Sequence, residues 1–123
     1  MKLLIIDDDE NVRTPITWHF EELDWDVTVV ENKKEAMKHY NDHWDAVICD
    51  VKLVDGFGDD IVADMLTINK KPLYLLHTGF VGYTLPPKLK ELGLTEKNIL
   101  IKPVFDIGGI IKRIEDHYNN FSG

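Results

Sequence analysis

One cysteine in 123 residues, Cys49, has no partner for an internal disulfide, so the fold is not stapled and the chain suits a reducing compartment. Basic residues are also scarce: 14 Lys and Arg stand against 22 Asp and Glu, a net charge of -8. No basic cluster exceeds Lys33-Lys34 or Lys70-Lys71. That argues against nucleic acid as a direct partner and favours metal ions or basic protein surfaces. Long apolar runs are missing too. Met1-Lys2 is followed by four apolar residues and then Asp7 to Glu10, too short and too acidic for a signal peptide, and no later segment approaches a membrane span. There is no linker, repeat or low-complexity segment. The expectation is a cytoplasmic protein of one domain, residues 1–123, long enough to bury most of its apolar surface.

What the chain does have is four short apolar runs, each cut off by polar residues. Leu3-Leu4-Ile5-Ile6 runs into Asp7-Asp8, Ala46-Val47-Ile48-Cys49 into Asp50, Leu73-Tyr74-Leu75-Leu76-His77 into Thr78, and Ile99-Leu100-Ile101 into Lys102. Runs of this length, alternating with helical periodicity, read as strands buried on both faces of a parallel sheet. In such a sheet ligands bind outside the carboxyl ends of the strands, so three carboxylates, a hydroxyl and an ammonium would converge on one crevice.

Five β/α units follow. Val12, Ile16, Phe20 and Leu23 make one face of the first helix, with Pro15 early in it, where a missing N–H is tolerated. Trp25 to Val30 is the second strand. Asn32 with Glu35 starts a helix carrying Ala36, Met37 and Tyr40. Leu53 to Gly58 is turn chemistry ahead of a helix with Ile61, Val62, Met65 and Leu66. Between Gly79 and Pro87, two glycines and the Pro86-Pro87 pair delay the fourth helix to about Lys88, making it short or displaced. The last helix runs from about Ile107 through Ile110, Ile111, Ile114 and Tyr118.

With Asp7-Asp8 in LLIIDDDENVR, Asp50 in AVICDVKLVDGFG, Thr78 in LLHTG and Lys102-Pro103 in ILIKP, the chain resembles the receiver domains of two-component response regulators over essentially its whole length. The resemblance implies a flavodoxin-like, doubly wound sheet of five parallel strands in a three-layer sandwich. It implies that Asp50 accepts the phosphoryl group, that Asp7 and Asp8 hold Mg²⁺ with Asp50, that Thr78 contacts the phosphoryl group and that Lys102 pairs with it. A sensor histidine kinase or histidine phosphotransfer protein would be the donor, and a protein target or output domain the recipient of the signal. The Lys102-Pro103 bond would be cis. The residues suit the chemistry, since phosphoryl transfer to a carboxylate needs a nucleophile, a hard divalent cation and fixed donors. Mg²⁺ takes one or two carboxylates directly, which suggests Asp8 and Asp50, with Asp7 acting through water.

Several positions depart from the family's usual pattern. Val54 stands where many receivers have proline, and Ile99 where a switching aromatic is usual, so the signal is expected to move Thr78 and the Gly79 to Pro87 loop. Lys52 and Phe80 occupy positions that tune hydrolysis and suggest a long-lived acyl phosphate. Asp55, Asp59 and Asp60 fail the calcium-loop spacing and read as turn and cap residues. The five histidines show no ligand spacing. Trp18, Trp25 and Trp44 read as core or rim anchors. Two alternatives stay open: an interaction module that is never phosphorylated, and a small phosphatase of the haloacid dehalogenase type using Asp7 and Asp9, against which Asn11 and the lack of room for a cap domain count.

Overall fold

The computed structural model describes residues 1–102 and 107–122. In chain order the elements are β1 (Lys2–Ile6), α1 (Glu10–Glu22), β2 (Asp26–Val30), α2 (Lys33–Met37), β3 (Ala46–Asp50), β4 (Lys52–Leu53), β5 (Gly56–Phe57), α3 (Gly58–Ile68), β6 (Leu73–Thr78), α4 (Pro87–Glu91), a 3₁₀ turn (Glu96–Asn98), β7 (Ile99–Ile101) and α5 (Ile107–Ser122). Five strands pair in parallel in the order β2-β1-β3-β6-β7. The chain therefore winds outward from β1 to β2, then crosses back to β3 and beyond. The winding reverses between β1 and β3, and the crevice at a doubly wound sheet's ligand end opens at such a reversal.

Alternate residues along each strand serve opposite layers. Leu4, Ile6, Val47, Cys49, Tyr74 and Leu76 pack with Ile61, Val62, Met65 and Leu66 of α3. Leu3, Ile5, Ala46, Ile48 and Leu75 pack with Ile16 and Phe20 of α1 and with Ile110 and Ile114 of α5. This is the three-layer α/β sandwich expected.

Four local readings need correction. Leu23 does not share the buried face of α1; it is the residue that ends the helix, and it lies exposed. Pro15 is not in the first turn. Asp9 caps the helix and its carbonyl already accepts the Arg13 N–H at 3.1 Å, so the N–H that Pro15 lacks would have gone to the Asn11 carbonyl. The second helix stops at Met37, which is exposed, because the Lys38 and His39 amides tighten onto Glu35 and Ala36 at 3.1 and 2.9 Å and the Trp44 indole donates to the His39 carbonyl at 3.0 Å. Trp44 is thus the buried anchor expected, but Trp18 is 66% exposed on the outer face of α1.

The β4–β5 hairpin turns through Val54 and Asp55 directly after Asp50. Asp55 reaches across from it to accept the Lys33 and Lys34 amides at 2.8 and 3.0 Å, capping α2 beside Asn32. The hairpin returns at Gly58, whose N–H donates to the Val51 carbonyl at 2.7 Å. A Cβ there would lie 2.0 Å from the Asp50 carbonyl oxygen, so only glycine fits.

Candidate phosphoacceptor and metal site

The carboxyl ends of β1, β3, β6 and β7 bring Asp7, Asp8, Asp50, Thr78 and Lys102 to one edge of the sheet. Carboxylate oxygens of Asp7, Asp8 and Asp50 all lie within 4.8 Å of one another. Asp7 and Asp50 are buried, 2% and 8% exposed, while Asp8 is exposed at the mouth. Lys102 Nζ lies 3.3 Å from Asp7 Oδ2 and 3.2 Å from Asp50 Oδ2, bridging two carboxylates on separate strands. The Asp7 carboxylate also accepts the Asp9 N–H at 2.9 Å. The Lys102 N–H donates to the Thr78 carbonyl at 2.7 Å, and the Thr78 hydroxyl accepts the Phe80 N–H at 3.1 Å.

The electrostatics follow from this crowding. Burial, then the Asp7 carboxylate, push the Asp50 carboxyl above its ordinary value, opposed by Lys102. Burial pulls the Lys102 ammonium down, but Asp7 and Asp50 together outweigh it and hold the pKa above the usual lysine value. Three carboxylates against one ammonium leave two negative charges, which a single divalent cation would balance. The donor set is hard oxygen throughout, and Cys49, the neighbouring sulfur, is a fully buried thiol whose pKa burial drives well above normal. The cluster therefore fits Mg²⁺ in both charge and ligand type.

The sequence reading did not single out three residues that shape this edge. His77 precedes Thr78 and pairs in register with Asp50, 1% exposed, and its Nε2 has no hydrogen-bond partner among the described residues. Burial, then the Lys102 charge, lower its pKa to about 4, so it is neutral. Gly58 was legible only as turn chemistry, because its near contact with Asp50 is made across the fold. Arg13 donates to the Asp7 carbonyl at 3.2 Å. A signal for it existed: it follows the Asp9 cap by four residues, and helical side chains lean back toward the N-terminus. Asp9, which the phosphatase alternative needs as a second acid, is engaged as the α1 cap, accepting the Asn11 N–H at 3.0 Å. The Lys102-Pro103 bond lies outside the described residues.

The chain belongs to the response regulator receiver domain family, whose pattern it matches over residues 3–115. No curated protein matches it. Among solved structures it is similar to a two-component response regulator from Clostridium difficile, at 18% identity and a TM-score of 0.84 over 100% of this chain and 99% of that one. It is also similar to the non-phosphorylated HemR receiver domain from Leptospira biflexa, at 25% identity and a TM-score of 0.78 over 94% and 92% of the two chains. The chemotaxis response regulator CheY4 of Vibrio cholerae is 22% identical, with a TM-score of 0.75 over 94% of this chain and 97% of that one. Among the described residues no helix is long and apolar enough to cross a membrane.

Proposed function

We propose that residues 1–123 act as one phospho-receiver domain in the cytoplasm, accepting a phosphoryl group on Asp50 from a histidine kinase or histidine phosphotransfer protein. The observation that carries this reading is the bridged cluster: Asp50 Oδ2 beside Lys102 Nζ, within 4.8 Å of two further carboxylates, at the reversal of the sheet. An oxygen of the Asp50 carboxylate attacks phosphorus in line, forming an O–P bond as the donor's N–P bond breaks. The donor imidazole leaves with the bonding pair. Asp8 and Asp50 would hold Mg²⁺ directly, and Asp7 through water, and the ion supplies neutralisation of charge on the transferring phosphoryl oxygens. Lys102 sits where it can follow the new negative charge, and the Thr78 hydroxyl, which among the described residues only accepts, has its proton available to donate to a phosphoryl oxygen.

The signal passes through Thr78 and the loop after it toward a partner protein or output domain. Ile99 offers no ring to swing inward, and residues 79–86 adopt neither helix nor strand. Lys52 and Phe80 are both exposed beside the site. There the lysine would lie over the phosphoryl group and the phenylalanine offers no hydrogen bond to an attacking water, so the acyl phosphate is expected to be long-lived. An unchanged or slower dephosphorylation rate in Lys52→Asn would contradict that lifetime argument. The function itself is tested by intact mass after incubation with acetyl phosphate and Mg²⁺. A single phosphoryl adduct, absent in Asp50→Asn and without the metal, is the expected result. No adduct in any condition, with beryllofluoride also leaving the protein unperturbed, would leave an interaction module that is not phosphorylated.

A further inference from the structure

Arg13 plays no part in the proposed transfer, yet it is tied to the backbone of the acidic pair. Its side chain is only 16% exposed, and the guanidinium donates through Nη1 to the Asp7 carbonyl at 3.2 Å and through Nη2 to the Glu31 carboxylate at 3.0 Å. The Asp7 N–H donates in turn to the Val30 carbonyl at 3.0 Å. Both backbone polar groups of Asp7 are thereby fixed, one by the end of β2 and one by α1. The Asp7 carbonyl shares a planar peptide with the Asp8 N–H, so the Arg13 bond sets the plane from which Asp8 projects. Among the described residues no hydrogen bond or ion pair holds the exposed Asp8 side chain itself. Its aim depends on its backbone.

We propose that Arg13 is a positioning residue for the divalent cation: it locks the Asp7–Asp8 peptide so that the Asp8 carboxylate already faces Asp7 and Asp50 when the ion arrives. The inference rests on the proposed reading of the acid cluster as a Mg²⁺ site. It makes a prediction opposite in sign to simple electrostatics. A guanidinium near a cation site repels the ion, so removing its charge alone would tighten Mg²⁺ binding. Removing an orienting bond weakens it.

The test is calorimetric titration of the metal-free full chain with MgCl₂, comparing wild type with Arg13→Gln, Arg13→Met and Glu31→Gln. Arg13→Gln is expected to bind Mg²⁺ about tenfold more weakly, as is usual when the partner orienting a metal ligand is lost. Its phosphorylation rate by acetyl phosphate is expected to return to the wild-type value at saturating Mg²⁺. Glu31→Gln, which removes only the exposed half of the clamp, is expected to stay within about twofold. Unchanged or tighter Mg²⁺ binding in a folded Arg13→Gln overturns the proposal. Should that variant fail to fold, the same titration on Arg13→Met, which keeps the packed stem, decides in the same way. A wild-type chain that takes up no Mg²⁺ sinks the reading of the site itself, whereas wild-type binding with an indifferent Arg13 sinks only the role given to Arg13.

Discussion

On one face of the sheet lie α1 and α5, helices of 13 and 16 residues; on the other, α2 and α4 have five residues each and residues 79–86 have no regular structure. Among the described residues only α3, with 11 residues, gives the second face a helix of ordinary length. The difference lies in how each layer is held. α1 and α5 sink Ile16, Phe20, Ile110 and Ile114 into the core. On the α2–α4 side, α2 and α4 bury one residue each, Ala36 and Leu89. The polar ties there run to carboxylates: Asp55 to the start of α2, the Tyr83 hydroxyl to Asp59, and Lys88 to Asp60. Those of α5, from Arg113, His117 and Tyr118, run to backbone carbonyls. Leu85, Leu89 and Leu94 are the buried anchors around α4. Apolar burial is stiff and insensitive to charge, whereas ties to exposed carboxylates are weak and respond to a charge placed nearby. On the proposed function, the second face is the one that a phosphoryl group on Asp50 would rearrange.

The contrast breaks most directly by truncation on each face. Phe20→Ala under α1 is expected to cost about 3–5 kcal/mol in urea unfolding, while Met37→Ala on α2 changes stability by less than about 0.5 kcal/mol. Equal costs would mean that Met37 is packed against the sheet as Phe20 is. Gly58→Ala comes next, at about 2–4 kcal/mol by the same measurement, because its methyl would meet the Asp50 carbonyl where the second face is pinned to the sheet.

Charge at the shared edge gives a smaller effect of opposite sign. Burial and Asp7 hold the Asp50 carboxyl above its ordinary value, so its ionised form is the costly one. Stability from this group is full below the unfolded pKa and lost as pH rises through the folded one. Asp50→Asn is thus expected to stabilise the metal-free protein at neutral pH by about 1 kcal/mol, roughly 3–6 °C in Tm, with the gain gone below about pH 4. A loss of Tm at neutral pH would show that Lys102 outweighs burial.

Smallest is the effect of Tyr83→Phe, which removes the tie to Asp59. Global stability is expected to fall by about 1 kcal/mol or less. The informative readout is local: faster amide exchange through residues 79–91, with α1 and α5 unchanged. Uniform acceleration would mean that the loop is not an independent unit.

Much of the framework was legible because strands buried on both faces are written as unbroken apolar runs and end in polar residues. Asp7, Asp8, Asp50, Thr78 and Lys102 could be placed together from that pattern alone, since parallel strands deliver their carboxyl ends to one edge. Helix lengths were harder to read. The α2 stop comes from the Trp44 indole reaching the His39 carbonyl, a contact between side chain and backbone that no periodicity encodes. The same holds for Leu23 and Trp18, whose spacing suited burial but which lie beyond the end and on the outer face of α1. Arg13, His77 and Gly58 were hidden for a related reason: each matters through a neighbour brought close only by the fold.

The measurement that tests this account most directly is a comparison of backbone amide spectra of the Mg²⁺-loaded protein with and without beryllofluoride. The account predicts its large shifts at Asp50 and Thr78, through residues 79–91 and at the start of α3, with Glu10–Glu22 and the body of α5 nearly still. Dominant shifts in α1 and α5, with residues 79–91 unmoved, would contradict it.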